Sequence, residues 1–205
     1  MENSIFEKNR VTAFTDAVFS VAMTLLILEV TIPAYADVKS SGSLNALLER
    51  TPNFIGFVLS FMVTAFYWID YMRITKYISN FDMRALWLNI CMLFLIVLLP
   101  FSTAFYVNSV LLKGPFLFYS LNLGSIAFLQ LLLISYIHKK ELGKTGLTEL
   151  KSKWLFTRSL NTFLVWILAG IIGLFSPVVA KFLFIFIFVI EPFIDSYYKK
   201  KSTTK

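Results

Sequence analysis

The chain has 205 residues, of which 58% are hydrophobic and 15% are charged, and its mean hydropathy is +0.73. Soluble domains carry about 25% charged residues, so this composition excludes a water-exposed globular domain and indicates a membrane protein. The net charge of +7 comes from basic residues that flank apolar runs, not from a stripe with base-stacking aromatics, which argues against a nucleic-acid partner. A single cysteine, Cys91, and a single histidine, His138, leave no disulfide, no paired-histidine metal site and no Ser/His/Asp triad. We therefore expect neither an enzyme nor a bound cofactor.

Apolar segments along the chain predict an all-α polytopic membrane protein with six transmembrane helices in a single domain, 1–205. The apolar stretch 160–194 is too long for one bilayer crossing of about 30 Å, and Ser176-Pro177 interrupts it, so we interpret it as a tight hairpin of two helices. The polar stretch 139–158 is interpreted as a cytoplasmic loop. The predicted spans are about 11–32, 54–72, 85–107, 115–137, 159–175 and 178–195.

The basic residues predict the orientation of these spans. With six spans, all but four of the 19 Lys and Arg residues fall on one side of the membrane. Because basic loops stay in the cytoplasm, both termini are expected on the cytoplasmic side of the membrane. The four exceptions are Lys39, Arg50, Lys113 and Lys181.

The start of the chain also has features of a cleaved signal peptide. Lys8 and Arg10 precede an apolar run over 17–28, and Ala34-Tyr35-Ala36 follows it. However, Asp16 and Glu29 bracket the apolar run, and signal peptides rarely carry charges there. We therefore interpret 11–32 as a retained first helix.

One stripe of the first helix alternates small or hydroxyl side chains with aliphatic ones, with Ser20 beside it. From spacing alone this stripe is typical of an ordinary helix–helix contact. If several copies surround an axis, however, it becomes a series of hydroxyl rings and hydrophobic collars that bind and gate a cation. The stripe comprises Ala17, Val21, Thr24, Leu28 and Thr31, spaced 4-3-4-3.

Ionisable residues within spans face protein or water by default, because exposure to lipid is costly. Of Asp16, Glu29, Asp70 and Glu191, Asp16 is the most informative, because helix continues on both sides of it. Six residues separate Asp16 from Arg10, which puts their side chains about 120° apart on a helix. They need partners elsewhere, either in a packing network or, for Asp16, in contact with an ion.

The first helix resembles a known family signature. Residues 10–16, Arg-Val-Thr-Ala-Phe-Thr-Asp, resemble the Arg-x-x-x-Phe-Ser-Asp motif of the endosomal and lysosomal potassium channel family (transmembrane protein 175) and its prokaryotic relatives, with Thr15 in place of Ser. Residues 17–30 resemble the rest of that family's first helix. Further resemblance lies in Ser60-Phe61 and Trp68 for the second helix, and in residues 86–89 and 98–103 for the third.

The resemblance implies a potassium-over-sodium selective channel, assembled as a homotetramer with a central pore lined by the first helix. By position, Val21 matches a hydrophobic constriction and Thr24 a hydroxyl layer near which potassium passes, while Ser20 and Leu28 lie beside the same path. The signature residues Arg10, Phe14, Thr15 and Asp16 would hold the helix in place.

Two questions stay open at this point. Val21 is small for a constriction, so Leu25 or Leu28 are alternative positions for the tightest ring. The chain also has no Thr-Val-Gly-Tyr-Gly segment, so side chains must provide selectivity, with no fixed metal and with potassium as the permeant ion. The alternative function is a proton-coupled transporter that uses Asp16, with Glu29 or Asp70 as a relay.

Overall fold

The computed structural model describes residues 5–109, 112–180 and 182–203, and it confirms the all-α membrane-protein class. Two short strands accompany the helices, and a 3-10 turn, Leu26–Glu29, continues the first helix. The strands are β1 (Ile5–Phe6) and β2 (Phe81–Asp82). The helices are α1 (Lys8–Leu25), α2 (Tyr35–Ser41), α3 (Ser43–Leu48), α4 (Thr51–Thr75), α5 (Met83–Val97), α6 (Leu99–Val107), α7 (Lys113–Glu141), α8 (Glu149–Gly173), α9 (Pro177–Ala180) and α10 (Ile185–Thr203).

The first helix begins and ends earlier than the predicted span 11–32. It starts at Lys8, directly after β1, and its 3-10 turn ends at Glu29. The backbone is extended at Val30, and Pro33 disfavours a helical conformation at Ile32, so the helix does not resume before the proline. β1 pairs antiparallel with β2, Phe6 opposite Phe81, and so ties the start of α1 to the start of α5.

The predicted third span, 85–107, consists of two helices. α5 ends at Val97, and Pro100 occupies the first turn of α6. Proline is tolerated in a first turn because the N–H it lacks has no partner inside the helix. The two helices together have the length and hydropathy of one membrane crossing.

The interpretation of 139–158 as a loop is wrong. α7 continues to Glu141 and α8 begins at Glu149, so the connection is only 142–148. Gly143 and Gly146 adopt φ values of +79° and +74° in this turn, a conformation that favours glycine. The polar sequence therefore does not mark where the two helices end.

The predicted sixth span, 178–195, is not one continuous helix. α9 ends at Ala180, residues 182–184 form a turn, and α10 runs from Ile185 to Thr203. Among the described residues, five helical stretches are long and apolar enough to cross a membrane, so the count of six stays a prediction. Those five are Lys8–Glu29, Thr51–Thr75, Met83–Val107, Lys113–Glu141 and Glu149–Gly173.

α7 and α8 pack closely at the centre of the molecule because glycines face the partner helix. A Cβ added to Gly170 would lie 2.7 Å from Ser120 Oγ, and one added to Gly173 would lie 2.5 Å from Phe116 Cδ1. Small residues of this kind let helix backbones approach in a bilayer. Buried polar side chains add interhelical hydrogen bonds, such as Gln130 Nε2 donating to Tyr67 O at 3.1 Å.

Candidate functional site

α1 has two faces of opposite character. The face that packs into the molecule carries Val11, Thr15, Phe19 and Ala22, all buried. The predicted stripe lies on the other face and is exposed throughout the single chain. Val21 is 56% exposed and Leu28 is 71% exposed. Ala17, Ser20, Thr24 and Thr31 are also exposed. Within the part of the chain that the structure describes, the stripe is therefore not a helix–helix contact.

The hydroxyl groups on this face donate their protons to the helix backbone. Thr24 Oγ1 donates to Val21 O at 2.8 Å, and Ser20 Oγ donates to Asp16 O at 2.8 Å. A hydroxyl oxygen has two acceptor lone pairs in addition to its proton. With the proton directed to the backbone, each oxygen keeps its lone pairs for an external cation.

The aliphatic residues of the stripe do not share one line along α1. Val21 and Thr24 belong to the regular helix and lie about 4.5 Å apart along its axis. Leu28 lies in the 3-10 turn, where successive residues are rotated by about 120° around the helix axis instead of the about 100° of an α-helix. Over the three residues from Leu26 to Leu28 this adds about 60°, so the Leu28 side chain is displaced around the axis by that angle. Leu25 is 39% exposed, at the edge of the same face. Val21 is thus the aliphatic residue adjacent to Thr24 on the regular part of the stripe.

Two residues of the sequence signature join α1 to α4 and α5. Thr15 is fully buried, and its Oγ1 accepts a hydrogen bond from Asn89 Nδ2 at 2.9 Å and one from Tyr71 OH at 3.3 Å. Asp16 Oδ1 accepts a hydrogen bond from Trp68 Nε1 at 2.9 Å. Trp68 and Asn89 lie in the segments that resembled the family's second and third helices. The structure therefore brings these separate parts of the sequence into one contact network.

The other two signature residues stand apart from this network. Arg10 is exposed and Phe14 is 62% exposed, and both line an open groove of about 660 Å³ beside α5. Asn89 also lines the groove, and its buried Oδ1 has no hydrogen-bond partner among the described residues. The role of Arg10 and Phe14 in holding the helix stays a prediction.

Sequence reasoning missed a buried ion cluster around Arg158 of α8. Arg158 Nη2 lies 3.2 Å from Asp70 Oδ1 and Nη1 lies 2.6 Å from Asp195 Oδ1, and the guanidinium also contacts Glu191. Arg73 Nη1 pairs with Asp70 Oδ1 at 2.8 Å. This cluster joins α4, α8 and α10. Arg158 was missed because it falls in the stretch interpreted as a loop. The available signal was its spacing of three residues from Leu155 and four from Thr162, which places the three residues on one face of a helix.

Asp82 holds the first turn of α5. It accepts hydrogen bonds from Ala85 N at 3.0 Å, from Lys140 Nζ at 3.0 Å and from the Tyr136 hydroxyl. Burial alone raises the pKa of Asp82, but these hydrogen bonds and the charge of Lys140 outweigh it and lower the pKa to about 2. The carboxylate is therefore ionised at neutral pH and ties α7 to the start of α5.

Comparison with known proteins connects this geometry to a family. Residues 10–100 match the family model described as endosomal/lysosomal potassium channel TMEM175. A potassium channel of Chamaesiphon minutus is 34% identical over 98 residues, 48% of each chain. One of Streptomyces collinus is 35% identical over 98 residues, 48% of this chain and 47% of the relative. The chain thus spans about half the length of these two relatives. One of Chryseobacterium sp. is 27% identical over 142 residues, 69% of this chain and 71% of the relative.

Two solved structures share the fold along nearly the whole chain. A lysosomal potassium-selective channel TMEM175 homolog from Chamaesiphon minutus superposes with a TM-score of 0.79 at 21% identity, covering 93% of this chain and 97% of the other. A threonine-to-alanine variant of the potassium channel MtTMEM175 gives a TM-score of 0.64 at 19% identity, covering 100% and 98%. The matched family is described as an ion channel and not as an enzyme. Residues 10–100 are therefore similar to the endosomal/lysosomal potassium channel TMEM175 family, and the chain as a whole shares the fold of a bacterial TMEM175 homolog.

Proposed function

We propose that this protein is a passive potassium channel, more permeable to potassium than to sodium, in the bacterial inner membrane. The observation that carries the proposal is the exposed stripe on α1. Val21 and Thr24 lie on this exposed face, and Thr15 and Phe19 are buried on the opposite face. The names of the relatives, all potassium channels, favour this function over a proton-coupled transporter that uses Asp16.

The channel would be a homotetramer with the stripe of each α1 around one axis. A single chain leaves this face uncovered, and a closed ring of identical copies covers it by symmetry. The distribution of Lys and Arg supports cytoplasmic termini. The pore then holds rings of Ser20 and Thr24 hydroxyls alternating with aliphatic collars.

Conduction in this pore needs no fixed metal and no cofactor. Four Thr24 hydroxyl oxygens would replace part of the hydration shell of a passing potassium ion. Val21 would form the hydrophobic constriction, which closes by dewetting, and Leu28 a second collar displaced around the axis. Permeant ions would move down their electrochemical gradient.

Ion selectivity tests the role of Thr24. Thr24→Ala removes the hydroxyl ring, so the potassium-over-sodium permeability ratio should fall severalfold in bi-ionic reversal potentials of the reconstituted protein. Thr12→Ala is the matched control, because Thr12 Oγ1 also donates to a backbone carbonyl of α1, Lys8 O at 3.0 Å, but lies about 120° away from Thr24. An unchanged ratio in Thr24→Ala, or an equal fall in Thr12→Ala, contradicts the assignment.

Leak through the closed pore tests the hydrophobic constriction. Val21→Asn or Leu28→Asn should raise resting potassium flux from loaded liposomes, because a polar ring keeps the constriction wet. Val97→Asn is the matched control, because Val97 on α5 is 57% exposed, close to the 56% of Val21. If all three variants leak equally, the effect comes from exposed polarity in general and the constriction lies elsewhere.

A further inference from the structure

A second feature of the molecule lies away from the α1 stripe, where α7 ends and α8 begins. A groove of about 370 Å³ opens there between α7, α8 and the end of α10. Its lining divides into a basic and hydroxyl-bearing half and an apolar half. The residues that matter for its chemistry are Ile134, His138, Lys139, Glu149, Lys153 and Phe156.

In the polar half, a carboxylate of the chain itself lies next to two of the basic side chains. Glu149 Oε1 lies 3.1 Å from Lys153 Nζ, and Glu149 Oε2 lies 4.0 Å from His138 Nε2. His138 Nδ1 is held at 2.9 Å from Ser152 Oγ, which orients the ring. The side chain of Glu149 is 56% exposed, and exposed ion pairs of this kind contribute little stability. An external anion can therefore displace this carboxylate at small cost.

The apolar half of the groove is formed by Ile134 of α7 and Phe156 of α8, and Phe156 is 40% exposed. Each lies about one helical turn closer to the middle of its helix than His138 or Lys153. A hydroxyl pair, Thr157 Oγ1 and Tyr198 OH at 3.0 Å, joins α8 to α10 at the groove. The site thus offers cationic groups at one end and an apolar surface at the other.

We propose that this groove binds the headgroup of an anionic phospholipid. The phosphate takes the place of the Glu149 carboxylate between Lys153 and His138, with Lys139 beside it, and an acyl chain lies along Phe156. The predicted orientation places the groove at the cytoplasmic leaflet, where anionic lipids attract basic residues next to membrane spans. A free phosphate ion would use only the polar half, so the apolar half favours a lipid.

Lipid binding to the purified full chain in detergent tests the proposal without any measurement of ion flux. Phosphatidylglycerol adducts are counted by native mass spectrometry, with phosphatidylcholine, which is zwitterionic and has no net charge, as the reference. Lys153→Gln and Lys139→Gln should each weaken phosphatidylglycerol binding about fivefold, from the contribution of one lysine near an anionic surface. Glu149→Gln should strengthen it, because the competing carboxylate is gone.

Matched controls separate this site from general charge effects. Lys144→Gln in the turn between α7 and α8, and Glu7→Gln before α1, change the net charge equally without touching the groove. They should leave phosphatidylglycerol binding unchanged. The opposite sign expected for Glu149→Gln excludes simple misfolding as the cause.

Three results would overturn the proposal. The first is equal affinity in the groove variants and their controls. The second is loss of phosphatidylglycerol binding only when Lys199, Lys200 and Lys201 are changed to Gln, which would place the lipid at the tail of α10. The third is displacement of phosphatidylglycerol by inorganic phosphate at equal concentration, which would show that the apolar half contributes nothing.

Discussion

The hydrogen bond from Trp68 to Asp16 should be a measurable link between α4 and α1. Trp68→Phe removes the indole N–H that lies 2.9 Å from Asp16 Oδ1 while keeping an aromatic ring at the position. Because the change also removes packing area, the hydrogen bond itself is isolated by a double-mutant cycle with Asp16→Ala.

The size of the coupling follows from the partners and their surroundings. A hydrogen bond to a charged group contributes about 1.5–3 kcal/mol in soluble proteins, whereas interhelical hydrogen bonds in membranes average about 0.6 kcal/mol and reach about 1.7. The acceptor here is a partly buried carboxylate, so we expect a coupling of about 1–1.5 kcal/mol. For a chain of this length that corresponds to a few degrees of Tm.

Thermal unfolding in detergent micelles, followed by circular dichroism, measures the cycle. Trp87→Phe with Asp16→Ala is the control cycle, because Trp87 is 60% exposed on α5 and should show no coupling. The reasoning is refuted if the stability losses of Trp68→Phe and Asp16→Ala add to within about 0.3 kcal/mol in the double variant. It is also refuted if the control cycle shows the same coupling energy. If the protein is a channel, the Asp16→Ala variant should still conduct potassium passively, although less folded protein is obtained. If it is a proton-coupled transporter that uses Asp16, the same variant should lose all uptake.

The other packing and charge features give three further expectations. Arg158→Leu leaves the carboxylates of α4 and α10 without a buried partner and should lower the free energy of unfolding by about 3–5 kcal/mol; a Tm within a degree of wild type would contradict this. Gly173→Ala places a methyl group against Phe116 and should cost about 1–3 kcal/mol. Gly114→Ala, with no described atom within 4 Å of the added methyl group, should cost nothing, and similar Tm changes in the two variants would refute the close packing. Asp82 has a pKa lowered from 3.8 to about 2, so the stability it adds is present above about pH 4 and is lost as the pH falls to about 2. The Tm advantage of wild type over Asp82→Asn should shrink across that range, and a constant difference would argue against the lowered pKa.

Helical periodicity grouped the stripe residues of α1 on one face but did not predict what that face contacts. Spacing alone indicated an ordinary helix–helix contact, whereas the stripe containing Val21 and Thr24 is exposed and Phe19 and Ala22 on the opposite face are buried. The segments that resembled the family also supplied two of the three interhelical partners of the signature, Trp68 and Asn89, whereas the third, Tyr71, lies outside them.

Features that depend on tertiary contacts were not predictable in the same way. Hydropathy marks the edge of the bilayer, so the polar ends of α7 and α8 were interpreted as loop although backbone hydrogen bonding continues there. Asp70 and Glu191 were recognised as ionisable groups in spans, but their shared partner, Arg158, is distant in sequence from both. The pairing of Ile5–Phe6 with Phe81–Asp82 involves strands too short to show a period.

Silver-ion accessibility of introduced cysteines tests most directly whether the α1 stripe lines the conduction path. The exposed native cysteine is first removed as Cys91→Ser, and single cysteines are then placed at Val21 and Thr24, at Val97 as an exposed control on α5, and at Phe19 on the buried face. We expect silver ions to block potassium current rapidly in Val21→Cys and Thr24→Cys and to leave Val97→Cys and Phe19→Cys unaffected. Block in Val97→Cys or Phe19→Cys, with conduction intact in the two stripe variants, would contradict the account.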